Sequence, residues 1–289
     1  MKNLVIILLA IISVHCKANE IDRLKTVEDV NTFLKNKSKN KKIDYFGETK
    51  WDTSGTAIKT KFLKIDLNND GLTDLIVNGT YLFIVLDKRN NDFDFYFIDR
   101  GTFLSRKYLL TKIDTSGVEP LIIVKNYDEE ARYEKMPTKS QYDTLLVRYD
   151  GLVEYYTRPD TLEISKLSFS TTMCFGTCPV FKLTIWADGS AEYNAQKYNQ
   201  EEGIFKGKID NKELVKLFDL IKYLNLRGLQ DSYQVNWTDD QTANLKVEYK
   251  NGTTKSIQDY GLIGTFGLER LYNILFSFRA SQTWYPGEN

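Results

Sequence analysis

Between Thr56 and Tyr156 apolar residues come in short runs, "AIKTKFLKID", "LTDLIVNG", "YLFIVLDK", "FDFYFIDRG", "PLIIVKNY" and "TLLVRYDGLVEYY", divided by Asn, Asp and Gly. Alternating or continuous apolar runs of this length between turn formers read as strands, so this half is mostly antiparallel β. Ahead of it, "TVEDVNTFL" changes period. Thr26 and Asp29 stand at capping-box spacing, and Val27, Val30, Phe33 and Leu34 share one helical face. One short helix therefore leads the β-rich unit.

Beyond Leu162 the two periods mix. "ADGS" at Ala187–Ser190 and "KNGT" at Lys250–Thr253 each separate alternating apolar runs and predict hairpin turns. Asp210 and Glu213 form a capping pair ahead of the stripe Leu214, Leu217, Phe218, Ile221 and Leu224, and Leu268, Leu271, Leu275 and Phe278 mark a final helix. The expected fold is α+β: a mostly antiparallel N-terminal domain over 19–158, then an α+β domain over 162–285 whose β-hairpins are covered by two helices, joined through "TRPDTLE" around Pro159.

Composition narrows the function classes. Lys plus Arg and Asp plus Glu are each 39, so no net field gathers nucleic acid, which is not expected as a partner. The one dense basic run, with Lys35, Lys37, Lys39, Lys41 and Lys42, reads as the solvated end of the first helix. Residues 1–18 have a positive start at Lys2, an apolar run from Leu4 to Val14 and small residues after it, the pattern of a secretory signal peptide. That run is shorter than the ~20 residues a membrane span needs, so no transmembrane segment is expected. Two processing routes are open. Cys16 stands where a bacterial lipoprotein would be acylated, although His15 departs from the small residue such signals favour; ordinary cleavage after Ala18 fits the residue types better. Either route predicts an exported protein, periplasmic, outer-membrane-associated or extracellular, touching the membrane only through a lipid on Cys16. His15 is the sole histidine and leaves with the signal, which removes Ser-His-Asp, Cys-His and imidazole–zinc chemistry from the mature chain.

One loop carries candidate chemistry. In "DLNNDGLTD", Asp66, Asn68 and Asp70 offer oxygens at alternate positions, Gly71 allows the chain to reverse, Leu72 offers a carbonyl and Asp74 returns a carboxylate at the next strand. The spacing resembles the D-x-N-x-D-G-x-x-D loops of FG-GAP or integrin-type repeats, which implies one calcium ion held between strands. It is not an EF-hand, whose bidentate Glu would fall at Val77. A single copy argues against a propeller built of such loops. The competing reading is a plain β-turn capped by Asp66 and Asp74; three carboxylates within nine residues repel one another, which favours the cation.

Cys174 and Cys178 lie in "MCFGTCPVF", where they could form a local disulfide, present two thiols or hold a soft metal. Export favours the disulfide. Together with "ADG" at Ala187–Gly189, residues Cys174, Phe175, Gly176, Cys178, Pro179 and Phe181 resemble a bacterial domain family of unknown function with the signature C-F-G-x-C-P-x-[YF]. That resemblance implies a domain from about Leu162 to Tyr285 and brings no activity. Sco-type copper chaperones share C-x-x-x-C-P but add a distant histidine, which the mature chain lacks once His15 leaves with the signal. The remaining carboxylate groups, Asp128, Glu129, Glu130 and Glu134, and the pair Asp239 and Asp240, read as solvated loops rather than glycosidase acids. The expected function is that of a non-enzymatic cell-envelope module that binds an unknown protein or envelope ligand, stabilised by calcium. The alternative is a thiol-dependent redox or soft-metal protein centred on Cys174 and Cys178.

Overall fold

The computed structural model describes residues 19–38, 45–46, 58–100, 107–127 and 142–287; the signal segment with Cys16, the lysines at 39, 41 and 42, and the acidic run from Asp128 to Glu134 lie outside the described residues. The leading helix α1 spans Val27–Lys37 behind the expected capping box, in which the Thr26 side chain accepts from the Asp29 amide. Val30, Phe33 and Leu34 are buried under it, and each fully buried side chain of this size contributes about 1.5–3 kcal/mol.

β1 (Phe62–Ile65), β2 (Asp74–Asn78), β3 (Leu82–Asp87) and β4 (Phe93–Phe97) form one antiparallel meander, and β5 (Lys107–Asp114), β6 (Leu121–Tyr127), β7 (Tyr142–Val147) and β8 (Leu152–Glu154) form a second. Two strands differ from the sequence reading. β5 was not among the expected runs: its pairing with β6 shifts register between Leu110 and Lys112, a bulge that breaks the two-residue period. "TLLVRYDGLVEYY" is two strands, because Tyr149 and Asp150 turn the chain with φ of 58° and 54°.

The second half holds an eight-stranded sheet in the order β13-β15-β14-β9-β10-β11-β12-β16. Its members are β9 (Ile164–Thr171), β10 (Val180–Trp186), β11 (Ser190–Lys197), β12 (Gly203–Lys208), β13 (Ser232–Gln234), β14 (Thr242–Tyr249), β15 (Thr254–Tyr260) and β16 (Trp284–Pro286). All pairs are antiparallel except β13 with β15. Both expected hairpins are present, with Gly189 and Gly252 at φ of 83° and 85° in their turns. Helices α2 (Asn211–Tyr223) and α3 (Phe266–Ser281) cover one face of the sheet, and the other carries Ser168, Ser170, Lys182, Asn244 and Lys246.

The layers follow one another. α1 packs on one face of the first meander through Leu75, Val77, Phe83 and Val85, and the opposite face, with Ile76, Ile84 and Leu86, meets Leu110, Ile122, Val124 and Leu145 of the second. Leu146 and Val153 on the far side of the second meander belong to the core of the eight-stranded sheet and its helices. The join at Pro159 is short and pinned: Asp160 pairs with Arg227, Nε to Oδ2 at 2.7 Å, and its amide donates to the Lys222 carbonyl at 2.7 Å.

Candidate functional site

In the loop between β1 and β2 the acidic side chains serve backbone amides. Asp66 accepts from the amides of Asp70 and Gly71, Asn68 from that of Asp70, and Asp70 from that of Leu72. Asp74 turns inward instead, accepting from the amides of Leu67 at 2.8 Å and Asp87 at 2.9 Å, and is fully buried. Burial pushes its pKa up to about 7, the two amide bonds oppose the rise, and the charges of Asp70 and Asp66 add to it. Among the described residues no three His, Cys, Asp or Glu side chains converge as metal ligands. The structure therefore gathers Asp66, Asn68 and Asp70 in one turn and directs Asp74 to the strands.

Cys174 and Cys178 are bonded, with Cα atoms 5.7 Å apart, and close a loop that exposes Phe175 at 91%, with Met173 just ahead of it exposed at 57%. The loop is strapped at its base. Gln241, itself buried, donates from Nε2 to the carbonyls of Thr172 and Pro179, and the Phe175 amide donates to the Asp239 carbonyl. Since the closed ring is short and the strap holds independently, replacing both cysteines by serine costs about 2 kcal/mol or less, read as a small drop in urea midpoint at unchanged m-value. Asp240 is likewise structural, accepting from Trp237 Nε1 and the Gln241 amide.

A concavity of about 660 Å³ with both halves in its walls lies where β4 meets the turn after β15 and the start of α3. Phe95, Tyr96 and Phe97 line it from the first half, Trp237, Leu262 and Phe266 from the second. Arg100, nearly buried, crosses between the halves: Nη1 donates to the Gly264 carbonyl at 2.9 Å and Nη2 to that of Thr265 at 3.3 Å. Its guanidinium lies 4.4 Å over the Phe266 ring, and Nε sits 3.0 Å from Glu269 Oε2 as an ion pair outside hydrogen-bond geometry. Arg270 donates from Nε to the Tyr149 carbonyl at 2.6 Å, and Asp99 accepts from the amides of Leu82 and Tyr108.

Beneath the cleft, Glu154 at the end of β8 accepts from the amides of Phe266 at 2.6 Å and Gly267 at 2.9 Å. A carboxylate from the first half thus caps the first turn of the last helix, and its pKa is raised by burial. Gly267 is needed there, because a Cβ would fall 2.1 Å from Leu224 Cδ2. Asp259 acts likewise just ahead of the helix, accepting from the amides of Ile263 and Gly264; burial raises its pKa too.

Residues 165–279 match the family model described as Domain of unknown function (DUF6438). The match starts in β9, takes in the Cys174–Cys178 loop and both hairpins, and ends in α3. It therefore contains Trp237, Glu269 and Arg270 but not Arg100 or Glu154, so the cleft is built partly from the DUF6438 region and partly from the unit ahead of it. No curated protein and no solved structure matches the chain.

Of the residues that make this site the sequence reading names Asp240, as a solvated loop carboxylate, but neither Arg100 nor Glu154. Arg100 stood inside an expected strand, "FIDRG", and Glu154 inside "LVEYY"; a charged residue at the end of an apolar run was the only local signal.

Proposed function

We propose that this is an exported, non-enzymatic binding protein of the cell envelope, with its ligand seat in the cleft between the two units. The observation that carries the reading is how the ionisable groups of the cleft are spent. Asp99 holds two amides, Arg100 two carbonyls, Arg270 one carbonyl and Asp240 an indole, and Glu269 is ion-paired with Arg100, so the walls offer fixed aromatic surface rather than a poised acid or base. Export is supported by the signal-like segment and by the disulfide, which suits an oxidising compartment. Calcium enters as a stabiliser of the β1–β2 turn, supported by the gathering of the Asp66, Asn68 and Asp70 side-chain oxygens in that one turn.

The uncharged apolar probe N-phenyl-1-naphthylamine is expected to bind saturably with a rise in fluorescence. Asn273 is exposed on α3 at the cleft mouth, so Asn273→Trp fills the mouth without touching the core. That variant should weaken binding at least tenfold while melting normally. Probe binding that is absent, or indifferent to Asn273→Trp, sinks the reading.

A second reading, thiol exchange at Cys174 and Cys178, draws on the half-exposure of both residues. Cycling of the bridge under mild reductant would favour it over the structural disulfide.

A further inference from the structure

A second concavity, of about 360 Å³, opens at the far edge of the eight-stranded sheet, where α3 ends over β11, β12 and β16. Aromatic rings form part of its lining. Tyr193 stacks on Phe205 with centroids 5.9 Å apart and 27° between planes, and Trp284 lies 5.2 Å from Tyr193. The indole is fixed in place: Nε1 donates to the Phe278 carbonyl at 3.0 Å, and the ring lies against Gly207, where a Cβ would come within 2.9 Å of it. Phe205 and Trp284 are each only half-buried, so ring surface remains open.

Polar groups complete the pocket. Arg279 rests over Phe181 and Phe276, is held by Nε on the Phe276 carbonyl and Nη1 on Asn199 Oδ1, both at 3.1 Å, and interacts with the Tyr193 hydroxyl, so its charge stands at the ring that lines the pocket. Gln200 and Glu201 are exposed, and neither side chain is bonded to another among the described residues.

We infer that this pocket seats a saccharide ring. The C–H face of a pyranose lies well on aromatic surface, and its hydroxyls need donors and acceptors side by side, which Arg279, Gln200 and Glu201 supply together. Other ligand classes fit less well. A simple cation meets Arg279, a simple anion meets Glu201, and a wholly apolar body leaves both charges unpaired. The inference does not rest on the inter-unit cleft.

Indole nitrogen labelling gives a resonance for each of the four tryptophans. The labelled chain is titrated with cellotetraose, maltotetraose and N-acetylchitotetraose to concentrations well above millimolar. At least one sugar is expected to move the Trp284 signal and leave that of Trp237, in the cleft, unmoved. Glu201→Ala, at an exposed position, should weaken that sugar at least tenfold with an unchanged melting midpoint, and Glu201→Gln should recover some of the loss. A Trp284 signal that no sugar moves overturns the inference, as does movement of Trp237 alone. Co-sedimentation with the insoluble polymer of the same sugar assigns the ligand to a wall glycan, and its absence to a free oligosaccharide; the pocket binds sugar in either case.

Discussion

Glu154→Ala is expected to destabilise the chain by about 3 kcal/mol and to give two unfolding transitions where the coupled wild-type units should give one. The two oxygens of Glu154 satisfy the amides of Phe266 and Gly267, and Thr265 Oγ1 satisfies that of Leu268, so the first turn of α3 has its donors filled from both units. Alanine strips two charge-assisted bonds in a buried place, each worth about 1.5–3 kcal/mol, and water recovers only a fraction. Because Glu154 belongs to the second meander and α3 to the DUF6438 region, the loss also uncouples the two units. Glu154→Gln keeps one acceptor and should fall between the two. Urea unfolding followed by near-ultraviolet circular dichroism reads both effects; a wild-type-like single transition for Glu154→Ala would refute the coupling.

The stability of the first unit should fall as pH rises from about 4 to about 7, and Asp74 is the reason. An unperturbed aspartate titrates near 3.8, whereas folded Asp74 titrates at about 7. Between those values the folded state keeps a proton that the unfolded chain has released, so its stabilising effect is full below the unfolded value and lost above the folded one. Each unit of pH in that window removes up to about 1.4 kcal/mol, a few kcal/mol in all. Asp74→Asn keeps a carbonyl oxygen for one of the two amides and should flatten most of the slope. Calcium provides the control. A cation in the turn favours ionised Asp74, so it should stabilise chelator-stripped protein at mildly alkaline pH by about 2.7 kcal/mol at a hundred times its dissociation constant. Asp70→Ala should abolish that gain. Equal melting midpoints with and without millimolar calcium would leave "DLNNDGLTD" as a turn alone.

Local patterns were readable where a segment meets one neighbour. α1 and the two hairpin turns follow their spacing because each meets a single neighbour, whereas in α3 Phe266, Tyr272 and Ile274 are buried beside the expected stripe, since β8 packs on that helix too. α2 shows the limit. Its expected stripe is largely buried, but so are Leu220 and Tyr223, whose hydroxyl donates to the Glu154 carbonyl, because the helix is covered by the second meander as well as by its own sheet. A one-sided period cannot announce a second neighbour. The cleft was illegible for a related reason: Arg100 reaches a carbonyl 164 residues away and Glu154 an amide 112 away, pairings fixed by how the layers stack rather than by any motif. The acidic residues of "DLNNDGLTD" were found because the bonds of Asp66, Asp70 and Asp74 close within the turn or at the next strands.

The strands at the two rims of the large sheet also bear on how the chain behaves in a crowd. β13 and β16 are three residues each, and β16 ends on Pro286, which has no amide to donate. Short rims of this kind give a second copy almost no ladder to extend, so a sheet of eight strands can stay open without seeding fibres. A chain cut after Gln282 would lose β16 and present β12, six residues long, as the new rim. Its defect would show as self-association on storage, with a lower melting temperature besides, since Trp284 and its packing on Tyr193 leave with the strand.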